Sequence, residues 1–280
     1  ELRWVGSKQI KTGGLLTIAC DRYYPPYTML MPSGKAAGIL IDFWRLWGAS
    51  NIRRVEFVFA DWEESIRMVK DGEADFHSGL FKTPEREAFL SFSAPVFATE
   101  DRLAFRTGQE PPGFGDLAGE RVGVIAGSAE ETYLEKKYPK ITVLPYAGYR
   151  NLLRALQDRE IRAIYDVGVT LKRVIEEMGL QGEIEVSKKA GSVRNIHAGV
   201  LKKYALRLKS INRGISQITE KEIQDIETRW VPDHDFQLFS GRARPMVLKA
   251  AEKEWLKKHP HIKLGVDPGF MPFEGFSPEG

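Results

Sequence analysis

The residues in this chain best suited to chemistry are donors for an anion rather than a catalytic set. Ser128 precedes Ala129-Glu130-Glu131, and a serine with a glutamate three residues on is a capping box. Free backbone N–H groups at such a helix start attract anions, although the cap alone would account for the serine. Arg86 lies in Thr83-Pro84-Glu85-Arg86-Glu87. Its planar fork of donors matches a carboxylate in a way lysine does not copy; the competing reading is a surface pair with Glu85, Glu87 or Asp75. The carboxylates Glu85, Glu100 and Asp166 have no partner at a spacing that would make an acid–base pair. His77 and His197 fall in strand-like runs and read as core-edge residues. His-Glu-x-x-His, P-loop and Gly-x-Gly-x-x-Gly patterns are absent. The single cysteine, Cys20, excludes an internal disulfide and a multi-cysteine metal site. No catalytic residue, metal or cofactor is therefore indicated. Arg53-Arg54, Lys136-Lys137 and Lys257-Lys258 read as solvated helix ends, and a net charge of +3 over 280 residues is no nucleic-acid signature.

The elements that must position these groups alternate. Residues 15–20 form a short apolar run bounded by Gly14 and Asp21, which predicts a buried strand. Residues 39–47 predict a helix with Leu40, Phe43, Trp44 and Trp47 on one face. Residues 55–59 read as a strand. Asp61 then caps a helix through Lys70, with Glu64 three residues on and Asp71-Gly72 as its stop. Strands are expected at 74–77 and 102–106. Gln109-Glu110-Pro111-Pro112-Gly113 is a breaker cluster and marks a lobe boundary. A second series follows, with strands at 121–125, 141–144, 162–165 and 183–186 and helices at 129–138, 151–158 and 169–178. Residues 197–200 read as a return strand, and 204–230 carry one or two helices. Two such alternations predict two α/β lobes with ligands at the carboxyl ends of the strands. At 42% hydrophobic and 28% charged residues the chain is globular, and no apolar run approaches the ~18 residues of a membrane helix.

An internal repeat is also present. Asp21, Tyr24, Pro26, Tyr27 and Gly34 recur as Asp267, Phe270, Pro272, Phe273 and Gly280 at one constant offset. A module of about 246 residues thus begins again near the end of the chain. Residues 232–241 are polar and irregular, and 243–259 read as a charged linker helix. With Glu1 in place of an initiator methionine and a turn-like ending at Ser277-Pro278-Glu279-Gly280, the chain reads as a piece of a longer protein.

Several stretches resemble bacterial extracellular solute-binding proteins of the amino-acid type (family 3). They are Thr17-Ile18-Ala19-Cys20-Asp21 with Tyr24-Pro25-Pro26-Tyr27, then Gly72-Glu73-Ala74-Asp75-Phe76-His77-Ser78-Gly79 followed by Thr83-Pro84-Glu85-Arg86. Phe92-Ser93-Ala94-Pro95-Val96 and Leu117-Ala118-Gly119-Glu120-Arg121-Val122-Gly123-Val124 with Gly127-Ser128 complete the series. A tandem repeat joined by a charged segment is similar to the periplasmic region of BvgS-type sensor histidine kinases. The resemblance implies a two-lobed periplasmic-binding-protein type II fold, or Venus flytrap, with a hinge between α/β lobes. Its expected bounds are 1–13 as a lead-in, 14–106 plus 196–231 as lobe 1 and 107–195 as lobe 2. Residues 232–260 would be a linker helix and 261–280 the start of a second, truncated module.

The resemblance also implies site residues. Arg86 would hold a ligand carboxylate, with Ser128 and its turn as the second lobe's grip. Tyr24 sits where an aromatic covers the ligand, and Trp62 at another cleft position; either could instead be core. Ser78 and Gly79 fall where a hydroxyl and backbone groups are offered. Phe81 replaces a small hydroxyl residue and narrows the cleft. The acidic residue for a ligand's ammonium should stand at Val167; Asp166 is one position earlier and, by strand alternation, faces the other way unless the loop shifts. The implied function is a non-enzymatic, extracytoplasmic sensor module of an inner-membrane protein. It would bind a small carboxylate or amino-acid-like solute and partner a second flytrap module of the same chain or a homodimer. A transport receptor is the alternative, and a dehydratase or lytic transglycosylase-associated domain a third.

Overall fold

The structure, a computed structural model, describes residues 14–109, 112–188, 191–239, 254–255 and 257–259. The chain divides into two compact units, Glu1–Arg244 and Pro245–Gly280. The expected lead-in (1–13), the repeat (261–280) and most of the linker helix lie outside the described residues. In the second unit Glu254–Trp255 and Lys257–Lys258 are helical, and the Trp255 ring stacks on His259 at 4.2 Å.

The first unit opens with β1 (Leu16–Asp21), β2 (Tyr23–Tyr24), β3 (Thr28–Leu30), β4 (Ala36–Ala37), α1 (Ile39–Ser50), β5 (Val55–Ala60) and α2 (Trp62–Asp71). It continues through β6 (Phe76–Leu80), α3 (Pro84–Glu87), β7 (Leu90–Arg106), β8 (Arg121–Ile125), α4 (Ala129–Lys137), β9 (Thr142–Tyr146) and α5 (Tyr149–Gln157). Then come β10 (Ala163–Val167), α6 (Gly168–Glu177), β11 (Ile184–Val186), β12 (Ser192–Leu201), α7 (Arg207–Ile215) and α8 (Glu220–Trp230). The main sheet runs β5-β1-β6-β12-β7-β10-β8-β9, with β11 on β7. Within it β1 is parallel to β5 and β6, and β8 is parallel to β9 and β10. Two parallel α/β halves are thus joined through the antiparallel pair β7 and β12, whose register shifts near His197.

The first half is built on α1. Ile39, Leu40, Phe43, Trp44 and Trp47 recur at helical spacing and are buried, which fixes the face turned to the sheet. Each tryptophan keeps its indole N–H satisfied: Trp44 Nε1 donates to the Ser78 carbonyl at 2.7 Å, and Trp47 Nε1 to the Ile211 carbonyl at 3.1 Å. The second half packs Leu152, Leu153 and Leu156 of α5 and Leu171, Val174 and Ile175 of α6 on one side. Leu134 of α4 packs with Val122, Val124 and Tyr165 in a separate cluster. Thr219 and Glu222 cap α8 reciprocally.

Several local expectations shift. Asp61 occupies the N-cap of α2 without a side-chain cap bond; its carboxylate pairs with Arg22 at 3.0 Å instead. β6 starts at Phe76 rather than 74, because Asp75 is bent away to accept from Thr17 N (2.9 Å) and pair with Arg207 (2.9 Å). β7 is a 17-residue strand, and its far end belongs with the second half: Asp101, Arg102, Leu103 and Ala104 pair with β10. Residues 232–239, expected in the linker, pack in the first unit. The Glu227 carboxylate accepts from Leu238 N (2.6 Å) and Phe239 N (2.7 Å), and Phe239 lies on Phe97 at 4.7 Å. Among the described residues no helix is long and apolar enough to cross a membrane.

Gly38, before α1, has φ of 122°, and a Cβ there would lie 2.4 Å from the Tyr27 carbonyl oxygen. A backbone contact cannot move aside as a side-chain tip can. Gly38→Ala should therefore cost at least about 2 kcal/mol in a urea titration, and a loss near zero would contradict this packing.

Candidate functional site

The two halves meet at Arg86. Thr83 caps the short α3 by accepting from Arg86 N at 3.3 Å, with Pro84 at the first helical position, and this turn carries the Arg86 side chain inward until the residue is 6% exposed. Its Nη1 donates to the Phe81 carbonyl and its Nη2 to the Gly127 carbonyl, both at 3.0 Å. The guanidinium sits 4.9 Å from the centre of the Trp62 ring, and Trp62 Nε1 donates to the same Gly127 carbonyl at 3.2 Å. The surface pairing of Arg86 is not formed: Glu85 pairs with Lys136 and Asp75 with Arg207. Burial brings the Arg86 pKa down to about 10, with Glu130 acting the other way, so the guanidinium stays charged at neutral pH.

The turn before α4 differs from a complete capping box. Ser128 Oγ accepts from Glu131 N at 3.2 Å, but Glu131 Oε2 accepts from Gly127 N (2.7 Å) rather than from the cap residue. Gly127 takes φ of 68°, which turns its carbonyl to Arg86 and Trp62.

Next to this contact lies a second, half-buried guanidinium that sequence reasoning missed. Arg194 of β12 pairs with Asp101 of β7 at 2.7 Å and, by a short contact, with Glu130 of α4. Its guanidinium lies 3.9 Å from the centre of the Phe81 ring. Asp101 also accepts from Tyr165 OH and Ser192 Oγ, each at 2.9 Å. Burial alone would lower the Arg194 pKa, and Glu130 and Asp101 more than reverse this, so it is held above its ordinary value. Burial pushes the Asp101 carboxyl up to about 6, against the pull of Arg194.

Tyr24 stacks on Tyr27 at 4.9 Å, and its buried hydroxyl has no hydrogen-bond partner. Asp166 is buried; Oδ1 accepts from Val167 N at 2.6 Å, and the Tyr149 hydroxyl donates to the same carboxylate. Burial, then the Glu130 charge, hold Asp166 well above the usual carboxylate range, and Tyr24 and Tyr149 lie close enough to feel it. Val167 is wholly buried among apolar residues. Ser78 and Gly79 turn their side-chain faces into the first half's own core. The register Ile18↔Phe76 and Ala19↔His77 carries Ser78 opposite Cys20, inside the sheet, and Gly79 is packed under Leu40 and Ile196, where a Cβ would approach within 2.6 Å. The structure therefore gathers Arg86, Trp62, Phe81, the Ser128 turn, Tyr24 and Asp166, and adds Arg194, Glu130 and Asp101.

His77 supports the site from behind. Gly79 N donates to its Nδ1 at 3.2 Å, so Nδ1 carries no proton and Nε2–H donates to Ser65 Oγ at 3.0 Å. Ser65 in turn donates to the Trp62 carbonyl at 2.7 Å. The histidine thus donates to the serine, which is the reverse of a nucleophile–base pair. Its ring meets Trp62 edge-on at 5.6 Å. His197 Nδ1 bonds the Ser93 carbonyl at 2.8 Å. Among the described residues no group of three or more His, Cys, Asp or Glu side chains could hold a metal ion.

Two α/β halves hinged on a pair of crossing strands and meeting over buried charges define a Venus flytrap binding fold. Residues 16–233 match the family described as bacterial extracellular solute-binding proteins, family 3, and the chain belongs to that family. It is 20% identical over 285 residues to the sensor protein EvgS of Escherichia coli K12, covering 98% of this chain and 22% of that protein. It is 22% identical over 278 residues to the virulence sensor protein BvgS of Bordetella bronchiseptica, covering 99% of this chain and 22% of that protein. A putative ABC transporter arginine-binding protein of E. coli K12 is 25% identical over 153 residues, 54% of this chain and 62% of its own length. Among solved structures the periplasmic VFT2 domain of Bordetella pertussis BvgS superposes with a TM-score of 0.71 at 21% identity, covering 77% of this chain and 93% of that one.

His77 gives the site a measurable pH signature. Burial, with Arg86 adding to it, lowers its pKa to about 3, while the unfolded residue titrates near 6.5. Below about pH 6.5 the unfolded chain takes up a proton the folded chain refuses. His77 therefore makes stability fall by up to about 1.4 kcal/mol per pH unit between roughly pH 6 and pH 3. Asp21 and Asp101, each raised to about 6 chiefly by burial, act oppositely: they favour the fold below pH 4 and lose that contribution as pH rises toward 6. Subtracting a His77→Gln variant isolates the histidine. Urea titrations from pH 7 to pH 4 should show a shallower acid-side loss in the variant, and identical slopes would contradict the assignment.

Proposed function

We propose that this chain is an extracytoplasmic sensor module of an inner-membrane signal-transduction protein whose output is a histidine kinase, and that it binds a small carboxylate or amino-acid-like solute between its lobes. The observation that carries the reading is coverage. The alignments with two sensor proteins run over 98–99% of this chain, including the stretch after Trp230, whereas the transport-type relative aligns over 54%. This chain spans only 22% of each sensor relative, so the membrane anchor, the kinase and a second flytrap module in tandem are parts of the proposal. A homodimer is a further partner the reading allows. The lobes are taken as 14–106 with 196–231, and 107–195, apart from the end of β7 that pairs with β10. A transport receptor remains the second reading, favoured by the arginine-binding relative.

Arg86 is the carboxylate-binding residue in this reading. Its Nη2 now holds the Gly127 carbonyl, an oxygen from the opposite lobe. A ligand carboxylate entering the gap would take over that donor and bridge the lobes in its place, with the Ser128 turn, Trp62, Tyr24 and Asp166 around it. The ligand then shifts the balance between closed and separated lobes only by its difference in affinity for the two.

A thermal-shift screen with amino acids, other small carboxylates and nicotinate-like acids tests the proposal. A ligand at ~100 times its dissociation constant should add about 2.7 kcal/mol of apparent stability, and Arg86→Ala should abolish the shift. Either a panel with no active member or a full shift in Arg86→Ala would contradict it.

A further inference from the structure

Resting on the reading of the interlobe gap as a solute site, we propose that Arg194 is a built-in occupant of the cleft: its guanidinium fills a seat made by Glu130, Asp101 and the face of Phe81, and so excludes solutes with a cationic side chain. The seat has the chemistry of a guanidinium receptor. Two carboxylates approach the edge of the group, and an aromatic ring lies under its face at 3.9 Å. Its three walls come from α4, β7 and the residue that follows β6, so it is a composite of both halves rather than a local surface pair. Both acids are buried, Asp101 fully and Glu130 to 4% exposure. Buried carboxylates of this kind require a cation, and the chain supplies one from its own hinge strand.

The occupant explains Phe81. A small hydroxyl residue there would leave the guanidinium face uncovered; the phenyl ring covers it. What the cleft still offers an incoming solute is the Arg86 donor now on Gly127 and the unpartnered Tyr24 hydroxyl. The solute class is therefore a small acid, with or without an amino group, lacking an extended cationic tail. Arginine and lysine would have to displace Arg194 from two carboxylates at once.

Chemical rescue tests the seat. Arg194→Ala should lower Tm, and millimolar methylguanidinium or arginine should restore at least about 3 °C of it, while methylammonium at the same concentration restores clearly less. The wild-type protein should respond to none of these cations. The double variant Arg194→Ala, Glu130→Gln should lose the response. If Arg194→Ala does not fold unaided, refolding yield with and without methylguanidinium becomes the readout, with recovery expected only in its presence. An arginine shift in the wild type, a response retained by the double variant, or an Arg194→Ala protein indifferent to guanidinium would each overturn the proposal. The carboxylate screen of the wild type fails or succeeds separately: a null screen removes the solute reading and leaves the guanidinium response of Arg194→Ala standing.

Discussion

Where the halves of this protein meet, Arg86 is buried and Arg194 half-buried, and each takes partners from more than one element of the fold. Arg86 starts in the first half and needs the Gly127 carbonyl of the second. Arg194 starts on a joining strand and needs Glu130 of the second half and the Phe81 ring of the first. Leaving such charges dry and unpaired costs several kcal/mol each, whereas pairing them yields little net stability relative to apolar packing. Their consequence is geometrical. The closed arrangement gives both guanidinium groups partners from the opposite half, and a separated one must let water or a solute replace them. That couples lobe position to what occupies the gap.

The rest of the fold serves this contact. The antiparallel pair β7 and β12 runs through both halves, so Asp101 and Arg194 ride on the hinge itself. The segment after α8 is tied to the same place: Arg102 donates to the Asp235 carbonyl at 2.8 Å and lies 4.3 Å over Phe236, and Lys172 of α6 pairs with Asp233. The stretch that follows α8 thus touches both a joining strand and a helix of the second half. A change in lobe position has a direct mechanical path to that stretch.

Much of the architecture is legible in the sequence because burial writes itself as period. The apolar face of α1 and the short runs of β1, β8 and β10 follow from it. Arg86 is legible because it stands in a motif with a cap and a proline. Arg194 and Glu130 are not. Glu130 sits in the first turn of a helix, where an acid usually faces water and favours the dipole, so nothing in its spacing signals burial. Arg194 lies in a polar stretch before the apolar run at 197–200 that alone suggests the strand; β12 in fact begins at Ser192. Position in the motif draws Ser78 and Gly79 toward the gap, but the two-residue alternation and the β1 register turn Ser78 inside the sheet. Phe81 is the available signal, since a large ring at a cleft position implies something broad and flat to cover.

The most direct measurement is the interlobe distance in the ligand-free protein, read by double electron–electron resonance between nitroxides on introduced cysteines at Lys70 of α2 and Glu135 of α4. Cys20 is wholly buried and its thiol is pushed up to about 12 by burial, so it will not take the label. The account predicts one narrow, short distance without any added solute, with longer distances appearing when Glu130 is changed to Gln. A broad or long distribution in the unmodified protein, unaltered by that change, would contradict it.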